Sequence, residues 1–139
     1  MTAADRVISV DEPASGKRLW ASVRRVGEDL VVAVGGGSRP HVGCVVLASP
    51  VQSRSTPETW SASCSVLTIP PHKEEAIARA VASRLAEMSG RVVVTTAGVH
   101  DENLDRAGIE AYLRLGAQLA DELAAVLREG GFPEYNRME

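Results

Sequence analysis

Thr59-Trp60-Ser61-Ala62-Ser63-Cys64-Ser65-Val66-Leu67-Thr68-Ile69 has the strict alternation of a β-strand. Successive strand side chains point to opposite faces, so Trp60, Ala62, Cys64 and Val66 share one face and Ser61, Ser63 and Ser65 the other. Four β-leaning segments precede it. Arg6 to Val10 is short and closed by the turn-prone run Asp11 to Gly16. Arg18 to Val26 alternates, and Gly27, Glu28 and Asp29 turn the chain into Leu30 to Val34. Gly35 to Gly37 end that strand, Ser38 to Pro40 extend the loop, and a further strand runs from His41 to Ala48 before the polar loop Ser49 to Pro57. Consecutive strands joined by short turns imply an antiparallel meander.

The second half changes period. Pro70 and Pro71 stop the strand and lead into a helix from about His72 to Met88, with the apolar stripe Ile77, Val81, Leu85 and Met88. Ser89 and Gly90 end it. Arg91 to Thr96 reads as a sixth, buried strand, and Ala97 to Asp105 as a loop. A long helix follows, about Arg106 to Glu129, burying Ile109, Leu113, Gly116, Leu119 or Ala120, Leu123 and Leu127; Gly130, Gly131 and Pro133 close it. The expected fold is α+β: an antiparallel sheet of about five to six strands with two helices packed on one face. It is expected to be a single domain over residues 1–139, ending in a charged terminus, Glu134 to Glu139, of a kind that is often unordered.

Composition removes several function classes. A net charge of −3 leaves no basic surplus for phosphate backbones, and Lys17-Arg18 and Arg24-Arg25 are the only adjacent basic pairs, so nucleic acid is not an expected partner. Met1 to Val10 has neither a secretory nor a transit pattern, and no stretch approaches the ~20 apolar residues that span a bilayer. Cys44 and Cys64 sit in apolar strand segments without a second Cys at metal-ligand spacing. They read as buried free thiols in a reducing compartment, and the expected location is cytoplasmic, away from membranes.

The three histidines all fall at element boundaries. His41 sits in Pro40-His41-Val42-Gly43, His72 in Pro70-Pro71-His72-Lys73-Glu74-Glu75, and His100 in Ala97-Gly98-Val99-His100-Asp101. Such junctions present ligand-binding groups on rigid scaffolds, and they also carry ordinary exposed or capping histidines. The helix start at His72 and Lys73 is either an anion site or a solvated first turn offset by Glu74 and Glu75. Ser61, Ser63 and Ser65 either face water or line a polar groove. A metal held by His41, His72 and His100, with Asp101 or Glu102 nearby, requires them to converge in space. Gly35-Gly36-Gly37 is neither a Walker loop nor a dinucleotide fingerprint; it serves a turn with positive φ or a close backbone approach to a ligand. Trp20 and Trp60 read as core or interface packing rather than as stacking platforms. No Gly-x-Ser-x-Gly elbow or triad spacing marks a nucleophile.

At these junctions the chain resembles a known family. Pro40 to Gly43, Ser61 to Val66, His72 to Glu75 and Ala97 to Asn103 look like the ordered motifs of the LpdD-like prenylated-flavin chaperones, also described as the D subunit of gallate decarboxylase. The match runs from about Leu30 to Ala111. Pro70-Pro71 stand where a glycine is expected, and Leu104-Asp105-Arg106 replaces a more threonine-rich helix start. The resemblance implies an accessory protein rather than an enzyme. It would bind prenylated FMN and assist its transfer from a flavin prenyltransferase to a UbiD-type decarboxylase. His41, Ser61, Ser63, Ser65, His72, Lys73, Gly98 and His100 are then the candidate cofactor-binding residues. A homodimer is expected, because helices on one sheet face leave the other to be covered. Two alternatives compete: a structural decarboxylase subunit that binds no flavin, and a small metal-dependent enzyme using His41, His72 and His100.

Overall fold

The computed structural model describes residues 6–56, 58–70 and 74–132. Six strands and two helices form it: β1 (Arg6–Glu12), β2 (Lys17–Val26), β3 (Asp29–Gly37), β4 (Cys44–Gln52), β5 (Trp60–Thr68), α1 (Glu75–Ser89), β6 (Val93–His100) and α2 (Arg106–Arg128). The sheet order is β1-β2-β3-β6-β4-β5. The expected α+β layout is present, with one correction to its topology. The chain does not form a simple meander, since β6 inserts between β3 and β4 and runs parallel to β3. All other neighbours are antiparallel. Val93-Val94-Thr95-Thr96-Ala97 suits that central place: it is a β-branched run ending in small residues, with Val93, Thr95 and Ala97 fully buried.

Both helices cover the same sheet face. The core between the layers holds Leu19, Val32, Val46, Val81, Leu85, Leu115, Leu119 and Leu123, all inaccessible to solvent. The stripes on α1 and α2 are largely those expected. Leu113, however, is exposed while its neighbour Tyr112 is buried, because the Tyr112 hydroxyl is anchored to Asp101. Cys44 is buried, Cys64 only partly so, and both are free thiols.

Three strand ends differ from expectation. β3 continues through Gly35 and Gly36, where an added Cβ would lie 2.4 Å from the Trp20 ring and 2.7 Å from the Leu19 side chain. These two glycines therefore make room for neighbouring side chains, and only Gly37 of the three turns with a positive φ of 77°. β6 extends to His100, so Ala97 to His100 is strand rather than loop. β4 starts at Cys44 and runs on to Gln52; its Pro50 lies beyond the paired part of β6, where a missing N–H costs no ladder bond to that strand. α1 begins at Glu75, and Pro71, His72 and Lys73 lie outside the described residues. Among the described residues no helix is long and apolar enough to cross a membrane.

Candidate functional site

The parallel strands β3 and β6 end together, with Gly37 paired to His100. From there the chain turns and folds back over the end of β6. Ser38 N–H and Arg39 N–H both donate to the His100 carbonyl (2.8 and 3.2 Å), and Gly43 N–H donates to the Ala97 carbonyl (2.9 Å). This return demands two glycines. At Gly37 a side chain would start 2.2 Å from the His100 carbonyl oxygen, and at Gly98 it would start 1.6 Å from that of His41. Gly98 is thus the seat on which the His41 backbone rests.

The return segment brings His41 and His100 to one open cleft of about 530 Å³, lined with Arg39 and Pro40. A smaller hollow of about 230 Å³ adjoins it, lined by His41, Gly43, Ile69, Pro70, Glu74, Val99 and His100. His41 is held from two sides: Nδ1 lies 3.1 Å from the Arg39 carbonyl and Nε2 lies 3.2 Å from Glu74 Oε1. Both ring nitrogens face oxygen acceptors, so His41 turns its ring, not a free N–H, to the cleft. Glu74, just before α1, is only 5% exposed; its Oε1 also accepts the Val99 N–H at 3.4 Å. Its Oε2 is buried without a hydrogen-bond partner among the described residues.

Residues 100–102 diverge. His100 is in the cleft, and its Nε2 lies 3.4 Å from Glu102 Oε1 and 3.5 Å from the Arg39 guanidinium. The Arg39 guanidinium also contacts Glu102 Oε1 directly. Asp101 turns instead to the helix side, where it accepts from Lys17 Nζ (2.9 Å), the Tyr112 hydroxyl and Ser38 N–H (3.0 Å). Burial pushes the Asp101 carboxyl up, but the bonds from Tyr112, Lys17 and Ser38 outweigh it and hold the group below the ordinary carboxylate range. Burial, together with the Asp101 carboxylate, pushes the Tyr112 phenol far above its usual range. Lys17 Nζ completes the cluster 5.6 Å from the Tyr112 ring centroid.

Of the residues singled out from sequence, His41, Gly98 and His100 meet at this cleft. His72 and Lys73 lie outside the described residues. Ser61, Ser63 and Ser65 are exposed on the uncovered sheet face but run away from the cleft. Ile69 N–H bonds the Gly43 carbonyl beside His41. Counting back from there at ~3.3 Å per residue puts Ser65 roughly 13 Å and Ser61 roughly 26 Å off. Asp101 does not join His100 as a ligand or base, since it is committed to Lys17 and Tyr112. Among the described residues no group of three or more His, Cys, Asp or Glu is placed to hold a metal. Arg39 and Trp20 are the additions. Trp20 lies over Gly35, and Gly35 is paired with Gly98, so the indole occupies the strand position next to the His41 seat. A non-local parallel pairing creates that proximity, and no local pattern announces it.

The description that matches residues 14–128 is a prenylated flavin chaperone LpdD-like domain. Protein LpdD of Lactiplantibacillus plantarum is 27% identical over 130 residues, covering 87% of this chain and 88% of that protein. Among solved structures, one described as the crystal structure of a novel chaperone complex for yeast 20S proteasome assembly has a TM-score of 0.54 and 13% identity. It covers 94% of this chain and 99% of that one, a likeness of fold alone.

Proposed function

The chain belongs to the LpdD-like prenylated flavin chaperone family, and from that premise we propose that it carries prenylated FMN at the Arg39–His41–His100 cleft. The observation that carries the reading is a cationic guanidinium and an imidazole gathered at one end of the uncovered sheet face, in a cleft within the usual size range of small-molecule sites. Arg39 and His100 suit a phosphate monoester. Trp20, at the cleft end of the uncovered sheet face, offers an aromatic wall for the isoalloxazine ring. His72 and Lys73, which precede Glu74 in the chain, are proposed to complete the phosphate end. Ser61, Ser63 and Ser65 are too far along β5 for that role. The carrier would take the cofactor from a flavin prenyltransferase and yield it to a UbiD-type decarboxylase, itself performing no turnover. Its free thiols, Cys44 and Cys64, agree with a reducing cytoplasmic setting. The test is anaerobic gel filtration with reduced prenylated FMN: co-elution is expected, and passage of all the flavin in the small-molecule volume would overturn the reading.

The same reading includes a homodimer formed through the uncovered face. Val7, Val31, Leu47, Val51, Leu67 and Ile69 are exposed there, Leu67 at 75%. Six strands about 4.8 Å apart, of about nine residues each, make a face of roughly 850 Å², close to the ~800 Å² each partner gives a standard interface. On β6, β4 and β5 no Asp, Glu, Lys or Arg has the parity of this face; Asp11, Arg18 and Arg24 lie on β1 and β2, and Asp29, at the first position of β3, accepts the Val92 N–H. A two-fold axis along the strands lays those charges over the seryl edge of the second copy, not over each other. Light scattering is expected to give twice the chain mass, and Leu67→Asp to halve it. A monomeric wild type would sink the dimer.

A further inference from the structure

Glu102 stands where a ligand anion would have to go. Its Oε1 contacts the Arg39 guanidinium and lies 3.4 Å from His100 Nε2, so one carboxylate oxygen touches both candidate phosphate ligands of the cleft. All three side chains are well exposed, Glu102 at 67% and Arg39 at 69%, so nothing in the packing traps the carboxylate there. The adjacent acid shows the contrast. Asp101 is 17% exposed and fixed by Lys17, Tyr112 and Ser38, whereas Glu102 has only these two cleft partners among the contacts described. The segment carrying Arg39 is itself anchored through its backbone to the His100 carbonyl, a bond that does not involve Glu102, so the two residues remain neighbours when Glu102 leaves.

We propose that Glu102 is an internal competitor for the phosphate of the bound flavin. In the free protein its carboxylate pairs with Arg39 and sits against the His100 ring; a phosphate monoester displaces it on binding, and its return helps eject the ligand. An exposed ion pair of this kind is a weak interaction. It would reduce affinity without abolishing it, which suits a protein that must hand its cargo on. The inference rests on the carrier reading of the cleft.

The experiment measures affinity for plain FMN and for riboflavin, which has the same ring and no phosphate, in the wild type, Glu102→Gln and Glu122→Gln. Glu122 is an exposed acid on α2, in the helix layer, and its replacement makes the same change in net charge. Glu102→Gln is expected to bind FMN about 2- to 5-fold more tightly with riboflavin unchanged, and Glu122→Gln to match the wild type at ~0.15 M salt, where charges beyond ~8 Å are screened. FMN binding that is measurable but equal in the wild type and Glu102→Gln overturns the competitor and leaves the carrier standing. An equal gain in Glu122→Gln, or in riboflavin binding, also overturns it. If neither flavin binds the wild type or Glu102→Gln, the competitor falls, and the carrier is judged by the titration with reduced prenylated FMN.

Discussion

Replacing Gly98 with alanine is expected to abolish flavin capture and to destabilise the fold. The added methyl group would start 1.6 Å from the His41 carbonyl oxygen and 2.2 Å from its carbonyl carbon, and these are backbone atoms that no rotamer change moves aside. Either the return segment lifts off β6, breaking the Gly43 to Ala97 bond, or β6 itself shifts within the centre of the sheet. Overpacking of this sort costs about 1–3 kcal/mol. The first route also disperses Arg39, His41 and His100. Urea denaturation measures the stability loss, and flavin binding measures the dispersal. Gly16→Ala is the matched control: its φ is 71°, but nothing lies within 4 Å of an added Cβ, so it loses about 1 kcal/mol from backbone strain and keeps binding intact. A Gly98→Ala protein as stable as the wild type would show that His41 does not rest on that glycine.

Asp101→Ala is expected to cost more stability than any other single polar replacement near the cleft, about 2–3 kcal/mol. It strands the Lys17 ammonium, the Tyr112 hydroxyl and the Ser38 N–H together. The same cluster gives stability a pH dependence of definite sign. Asp101 has a lowered pKa in the folded chain, so its contribution is present above the unfolded carboxylate value of ~4 and is lost as pH falls through the folded one. Tyr112 has a raised pKa, so its contribution is present below the unfolded phenol value of ~10 and fades as pH climbs beyond it. Denaturation midpoints across pH should therefore drop at both extremes. Tyr112→Phe should flatten the alkaline limb while leaving most of the acid one. An unchanged alkaline limb in Tyr112→Phe would mean that another group controls it.

How much of this was legible in the residues differs from element to element. The alternation of Trp60 to Val66 and the stripe Ile77, Val81 and Leu85 announce one strand and one helix, because their periods reflect a single buried face. The insertion of β6 between β3 and β4 is invisible locally. Arg91 to Thr96 reads as a buried strand wherever it pairs, and only the assembled sheet decides its neighbours. The glycines show the same limit. Gly35, Gly36 and Gly98 all look like loop punctuation, yet each lies within a strand, vacating space for Trp20, Leu19 and the His41 backbone. At the candidate site, His41 and His100, both read as boundary positions, come to one cleft at the shared end of the central strands β3 and β6. For the seryl stripe, alternation reports which face a residue occupies and not how far along the strand it sits. Arg39 carried no local signal at all: its place beside His100 follows from two backbone bonds across the chain return.

The most direct test of the carrier account is an anaerobic titration of the purified chain with reduced prenylated FMN, read by flavin absorbance in the wild type and Arg39→Gln. The account predicts saturable binding by the wild type, weakened at least several-fold in Arg39→Gln with the fold intact. Saturable binding that Arg39→Gln leaves unaltered would contradict the cleft as the phosphate site, and no saturable binding by the wild type would contradict the carrier itself.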